Sequence, residues 1–252
     1  MPSQKQQVVD LLKAIETGAP EPVDVIDADN YIQHNLGAAD GLAGFHELLK
    51  AVPQGARVDT VRVFQDGDYV FAHSDYNVFG PRIGFDIFRF ENGKIVEHWD
   101  NLQQTAGPNP SGRSMIDGPI EARDLEKTEA NKVLVERFVG DVLVDGRMDK
   151  FAGYCDGDRY IQHHPLIADG VSNLAAAFQA WAEAGIVAEY DRIHRVLGEG
   201  DFVLVVGEGQ FNGDPTSFYD LFRVENGKIA EHWDVVETIP SKSEWKNVNG
   251  KF

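Results

Sequence analysis

One fifteen-residue stretch occurs twice in this chain and limits its fold more than any other feature. Residues 86–100 read DIFRFENGKIVEHWD and residues 220–234 read DLFRVENGKIAEHWD, identical at twelve of fifteen positions with an offset of 134. A second echo lies upstream. Tyr31-Ile32-Gln33-His34-Asn35 answers Tyr160-Ile161-Gln162-His163-His164, and Asp40-Gly41 answers Asp169-Gly170, both at an offset of 129. Matches in the same order make the chain an internal duplication, with about five residues added inside the second copy.

The repeated stretch reads as a β-hairpin. Phe85–Phe90 mixes apolar and polar residues in strand fashion, Asn92-Gly93 forms a tight turn that tolerates positive φ, and Ile95–Asn101 continues as a second strand. Upstream, Gln4–Thr17 puts Val8, Leu11, Leu12 and Ile15 on one helical face, with Gly18 as its stop. A short helix is expected within Pro20–Asp29 and another from Asp40 or Gly41 to before Pro53. The period then changes to two, predicting strands over Val58–Gln65, Tyr69–Phe79, Ile83–Phe90 and Ile95–Gln103. Their short links make neighbours antiparallel, so each unit belongs to the α+β class. The second copy repeats the order: helices over Thr128–Val144, Met148–Tyr154 and Val171–Glu183, then four strands between Val187 and Thr238. The expected division is a first unit at 1–104, a Gly/Pro-rich linker at 105–125, a second unit at 126–240 and a tail at 241–252.

Charge excludes some partners. The net charge of −18 is spread over both halves, with 19 acids against 10 bases up to Leu125 and 22 against 13 beyond it. Neither nucleic acid nor an anionic membrane surface suits such a chain. The single cysteine, Cys155, excludes an internal disulfide framework. No signal peptide or membrane-spanning run is read, so a cytoplasmic location is expected.

Asp86 shares its strand face with Phe88 and Phe90, and Asp220 shares its face with Phe218 and Phe222. Burial among aromatics would raise a carboxylate pKa toward that of a general base. His73, thirteen residues before Asp86 in the preceding strand, is the expected acid–base partner. By position its counterpart is Val206, and the nearest ionisable replacement is Glu208. This asymmetry points to one active and one degenerate pocket. His34 and His163 are read as ligand contacts or structural hydrogen bonders, whereas His98 and His232, opposite the Trp99 and Trp233 face that is expected to pack, are expected at the surface or at a unit–unit interface. Glu97 and Glu231, if inside, need Arg89 and Arg223 as partners. The expected pocket lining is Tyr31, His34, Tyr76, Phe88, Tyr160, His163, Trp181, Glu208 and Phe222. No metal-ligand motif, dinucleotide-binding glycine pattern or nucleophile elbow is found, so no metal or organic cofactor is expected.

Tyr-Ile-Gln-His-Asn together with Phe-Arg-x-Glu-Asn-Gly-Lys-Ile-x-Glu-His-Trp-Asp resembles SnoaL-like proteins of the nuclear transport factor 2-like (cystatin-like) superfamily. The resemblance covers each unit once. It implies two tandem cone-shaped α+β barrels, each with N-terminal helices on a curved antiparallel four-stranded sheet. It also implies the chemistry of aldol-type polyketide cyclases, in which an aspartate takes a proton from an activated carbon, a histidine assists and no cofactor is used. Those roles fall on Asp86 and Asp220, with the histidine near His73. Single-unit relatives pair through their sheets, so the two units are expected to form an intramolecular pseudo-dimer. Three readings stay open: an acid–base cyclase, isomerase or lyase acting on a small hydrophobic carbonyl compound, a non-catalytic binder of small ligands, and a structural module with vestigial pockets.

Overall fold

The computed structural model describes residues 2–252. The chain forms two compact units: unit 1 runs to Thr105 and takes in Pro240–Phe252, and unit 2 is Ala106–Ile239. The stretch expected to be a linker is therefore built into unit 2, and the tail into unit 1. Neither has an apolar period, and side-chain amides seat them instead. Asn109 Nδ2 donates to the carbonyls of Gln162 and Ile167 at 2.6 and 2.9 Å. Asn247 Nδ2 donates to those of Asn35 and Ala38 at 2.8 and 3.0 Å.

Unit 1 begins with helix α1 (Gln4–Thr17), capped by Ser3, whose side chain accepts from the Gln6 N–H, and closed by Gly18 in the left-handed conformation. A 3₁₀ turn over Glu21–Val25 leads to strand β1 (Ile32–Gln33) and helix α2 (Gly41–Ala51). Four long strands follow: β2 (Arg57–Asp66), β3 (Tyr69–Asn77), β4 (Pro81–Glu91) and β5 (Lys94–Gln104). Unit 2 repeats the plan. Helix α3 (Thr128–Phe138) runs on as a π-helical turn over Val139–Val144, ahead of α4 (Phe151–Tyr154), β6 (Ile161–Gln162) and α5 (Val171–Glu183). Its long strands are β7 (Ala188–Glu199), β8 (Phe202–Phe211), β9 (Asp214–Glu225) and β10 (Lys228–Thr238). Asn92-Gly93 and Asn226-Gly227 all have positive φ, as the repeated two-residue turn requires.

The sheets have the orders β1-β5-β4-β3-β2 and β6-β10-β9-β8-β7, so each has five strands rather than the expected four. The extra strand is two residues long and parallel to its neighbour, pairing Ile32 with Glu97 and Gln33 with His98 in unit 1. A segment that short carries no period, so the sequence showed it only as an extended piece. Buried Val8, Leu11 and Leu12 of α1 form one core with Val70, Ala72, Tyr76, Phe88 and Phe90. This is the helix-covered face of the sheet. In unit 2 the matching core joins Val135, Phe138 and Val139 to Val203, Val205, Phe222 and Val224.

Candidate active site

Strand register decides which side chains meet on the helix-covered faces. In an antiparallel ladder, directly paired residues project to the same side. Asp86 pairs with Asp100 and Phe88 with His98. In unit 2, Asp220 pairs with Asp234 and Phe222 with His232. The short parallel strand then brings Gln33 beside His98 and Gln162 beside His232. Each unit thus gathers two aspartates, a histidine and a glutamine on one buried patch.

Hydrogen bonds fix where the protons lie in unit 2. Gln162 Oε1 accepts from the backbone N–H groups of His163 and His164 at 2.8 and 2.9 Å, so that atom is the amide oxygen and not its nitrogen. The same oxygen lies 3.1 Å from His232 Nδ1, which must therefore carry a hydrogen and donate. His232 Nε2 in turn lies 2.9 Å from Asp220 Oδ1. A neutral imidazole protonated at Nδ1 would set a lone pair against a carboxylate oxygen, so one proton is shared across this contact. Unit 1 follows suit. Gln33 Oε1 accepts from the Asn35 N–H and from His98 Nδ1, at 2.8 and 2.9 Å, and His98 Nε2 lies 3.1 Å from Asp86 Oδ1.

Unit 2 holds a cavity of about 70 Å³, within a cleft of about 640 Å³ when its open mouth is included. Asp220, Asp234, His232, Tyr160, Trp181 and Phe222 line it, among other mostly apolar and aromatic side chains. Burial pushes the Asp220 carboxyl above its ordinary value, against the hydrogen bond and charge of His232, which pull it down. The Tyr190 hydroxyl donates to both Asp220 oxygens, at 3.1 and 3.3 Å. Burial and the charges of Asp220 and Asp234 raise Tyr190 well above an ordinary phenol, which keeps that donor proton in place.

Unit 1 supplies its tyrosine from another strand. Tyr76 of β3 donates to Asp86 Oδ2. Tyr76 faces Val58 across the β2–β3 ladder, and at the matching place in unit 2 Gly209 faces Tyr190. The large and small residues have changed strands, and the hydroxyl still reaches the aspartate. Tyr190 lies over Gly207, where a Cβ would come 3.2 Å from its ring, and it stacks on Phe218 at 4.1 Å. Tyr31 and Tyr76 belong to the packed core of unit 1, and Phe88 stacks on His98 at 4.6 Å.

Four sequence expectations are overturned by these faces. His73 pairs with Phe85, not with Asp86, and so points to the opposite side of the sheet, stacked on Phe85 at 4.0 Å with Arg62 Nη1 2.8 Å from its Nδ1. Glu208 likewise pairs with Ser217, on the face away from Asp220, and binds Arg192 and His194. His34 and His163 also turn away from the pocket, against their place in its expected lining and in keeping with the alternative reading as structural hydrogen bonders. They stack on Trp99 and Trp233 and bond Glu97 and Glu231 at 3.0 and 2.9 Å. Arg89 and Arg223 complete these outer-face chains at 2.8 and 2.7 Å from the same glutamates. The histidines expected at the surface, His98 and His232, are the ones that meet the aspartates. Gln33, Gln162 and Tyr190 were not singled out. The repeat of Tyr-Ile-Gln-His alongside Glu-His-Trp-Asp was the available signal, but its use required knowing that these segments lie side by side.

Asp86, His98 and Asp100 each offer a ligand atom within 4.8 Å of one another, as do Asp220, His232 and Asp234. Either trio could hold a cation at His Nε2 only by displacing the proton shared with the aspartate.

The SnoaL-like domain family matches residues 8–98 and again residues 135–232. Solved structures similar to single units include an NTF2-like protein of unknown function from Cytophaga hutchinsonii, with 15% identity over 41% of this chain and 92% of that one and a TM-score of 0.37. IdmH, a proposed polyketide cyclase from Streptomyces antibioticus, shows 19% identity over 40% of this chain and 93% of its own, with a TM-score of 0.33. TsrD from Streptomyces laurentii shows 19% identity over 40% and 92%, with a TM-score of 0.34. No curated protein matches the chain.

Proposed function

The chain belongs to the SnoaL-like domain family, with one domain in each unit, and from that premise we propose that unit 2 is a cofactor-independent acid–base catalyst acting on a small, mostly apolar carbonyl compound. The reaction class is aldol-type cyclisation, isomerisation or a lyase step that begins with removal of a proton beside a carbonyl. One observation carries this reading: Asp220 is a buried carboxylate of raised pKa on the wall of an apolar cavity, with His232 and Tyr190 both in hydrogen-bonding contact.

Asp220 takes the α-proton, and the C–H electron pair moves into the carbonyl to give an enolate. Tyr190 O–H, or the proton held at His232 Nε2, donates to the enolate oxygen. Donors already oriented in a dry site cost little reorganisation as that charge develops. Gln162 keeps His232 turned so that Nε2, not Nδ1, faces the reacting groups. Unit 1 has less to offer. Asp86 is engaged by His98 and Tyr76 much as Asp220 is by His232 and Tyr190, but Tyr76 is packed into the core, whereas Tyr190 lines the cavity.

The test is hydrogen–deuterium exchange at the α-carbon of a panel of small ketones in D₂O, followed by NMR. Asp220→Asn should cut the exchange rate by roughly 10²–10⁴-fold while ketone binding persists. Tyr190→Phe should cut it by roughly 10-fold or more. Exchange that Asp220→Asn leaves intact, or that only Asp86→Asn removes, refutes the assignment to unit 2. Binding without exchange by the native protein leaves a ligand-binding protein.

A further inference from the structure

The duplicated sites differ in one charge, and that difference identifies a ligand class for unit 2. In each unit the His–Asp contact holds one shared proton, so that pair is neutral overall. The second carboxyl group, Asp100 or Asp234, takes no part in that contact and has to be met by its other surroundings.

Unit 1 meets it from within. Asn35 donates to Asp100 Oδ2, and the ammonium of Lys251, a buried residue of the tail, lies 3.7 Å from Asp100 Oδ1, within ion-pairing range though beyond a hydrogen bond. Unit 2 has no such cation. The backbone carbonyls that accept from the outer-face histidines align the two segments. Gly250 O takes the hydrogen bond of His34 Nδ1, and Ser114 O takes that of His163 Nδ1, so Lys251 corresponds to Met115. The position matching Asn35 is His164, whose Nε2 lies 3.8 Å from Asp234 Oδ2. His164 Nδ1 accepts from the Leu166 N–H, so this imidazole is neutral and offers a donor but no charge. Asp100 Oδ1 and Asp234 Oδ1 both lack a hydrogen-bond partner among the described residues, but only Asp100 has an ammonium beside it, and Asp234 is only 9% exposed. The cavity it lines contains no lysine or arginine.

We infer that the unit 2 cavity binds a ligand bearing an ammonium group, which takes at Asp234 the place that Lys251 takes at Asp100. A buried, unpaired carboxylate is costly, and an ammonium beside it removes that cost. The aromatic walls suit the same group, because Tyr160, Tyr190, Trp181 and Phe218 line the cavity and aromatic rings attract a cation. This deepens the proposed function by naming the substrate class: a small carbonyl compound that also carries a basic amine. It rests on that reading only in placing both groups in one cavity.

Calorimetric titration of the full chain with benzylamine and with benzyl alcohol, its neutral counterpart of similar size, tests the inference. Benzylamine should bind roughly tenfold or more tightly than the alcohol, and Asp234→Asn should abolish the preference. Equal affinity of the two probes for the native protein overturns the inference whether or not the variant folds. Zinc chloride binding alone, lost in Asp234→Asn, while benzylamine fails to bind, assigns the missing charge to a metal ion and also overturns it. Amine binding with no ketone exchange keeps the inference and sinks the catalytic reading. Exchange of neutral ketones with no amine preference does the reverse.

Discussion

Replacing Gln162 by leucine tests the proton arrangement most directly. Leucine keeps much of the volume and removes the oxygen on which three donors converge: His232 Nδ1 at 3.1 Å and the N–H groups of His163 and His164 at 2.8 and 2.9 Å. His163 N–H keeps a second acceptor, the His232 carbonyl at 2.9 Å. Two donors are then stranded in a buried site, each costing about 1–3 kcal/mol. The expected loss is roughly 2–6 kcal/mol, a large share of the roughly 5–15 kcal/mol that holds a typical domain folded. Urea unfolding followed by tryptophan fluorescence measures it, with Trp181 and Trp233 reporting from unit 2. A loss below about 1 kcal/mol would refute the accounting. Long-range ¹H–¹⁵N spectra give an independent readout on the native protein. His232 should carry its hydrogen at Nδ1, and a neutral ring protonated only at Nε2 would falsify the fixed tautomer outright.

Two carboxylates should shift the pH dependence of stability in opposite directions. Asp220 is raised in the folded state, chiefly by burial, so its contribution is present below the unfolded carboxylate pKa and is lost as pH rises through the folded value. Asp220→Asn should remove that fall, seen as a flatter stability curve above about pH 4 in denaturant titrations; an unchanged curve contradicts it. For Glu231, burial alone would raise the pKa, but the hydrogen bonds and charges of His163 and Arg223 outweigh it and hold the carboxyl low. Its contribution is present above the unfolded pKa and lost as pH falls through the folded one. Glu231→Gln should cost about 1–3 kcal/mol near neutrality, because His163 and Arg223 lose a charged acceptor while Arg223 keeps its pair with Glu225, with the difference closing in acid. A difference that persists unchanged at low pH is the contrary result.

Much of the architecture was legible because its determinants are local. The helix stop at Gly18, the Asn-Gly turns and the change of period near Val58 each act within a few residues. Face membership along one strand was legible too: Asp86 does share its side with Phe88 and Phe90. What failed was the step between strands. His73 was paired with Asp86 because a short turn joins their strands, but the register sets Ala72 opposite Asp86 and turns His73 away. One residue of offset reverses the face of a side chain, and no property of His73 itself reports that offset. His98 and His232 were misplaced for a related reason: the face they share was set aside in favour of the tryptophan face, yet it is the one that meets the aspartates.

The amino-acid sequence by itself determined that there are two copies of one α+β unit, where their turns fall, and that an acid followed by an arginine leads each final hairpin. These follow from repetition, short-range sterics and the two residue periods. Only the tertiary structure decided which histidine meets the aspartate, that Gln33 and Gln162 fix its tautomer, and that the tyrosine comes from β3 in unit 1 but from β7 in unit 2. It also decided that the tail residue Lys251 sets an ammonium beside Asp100, while Asp234 has only the His164 imidazole near it. Each of these depends on contacts between segments distant in the chain, where strand register and the seating of aperiodic loops set the chemistry and leave no periodic trace in the residues themselves.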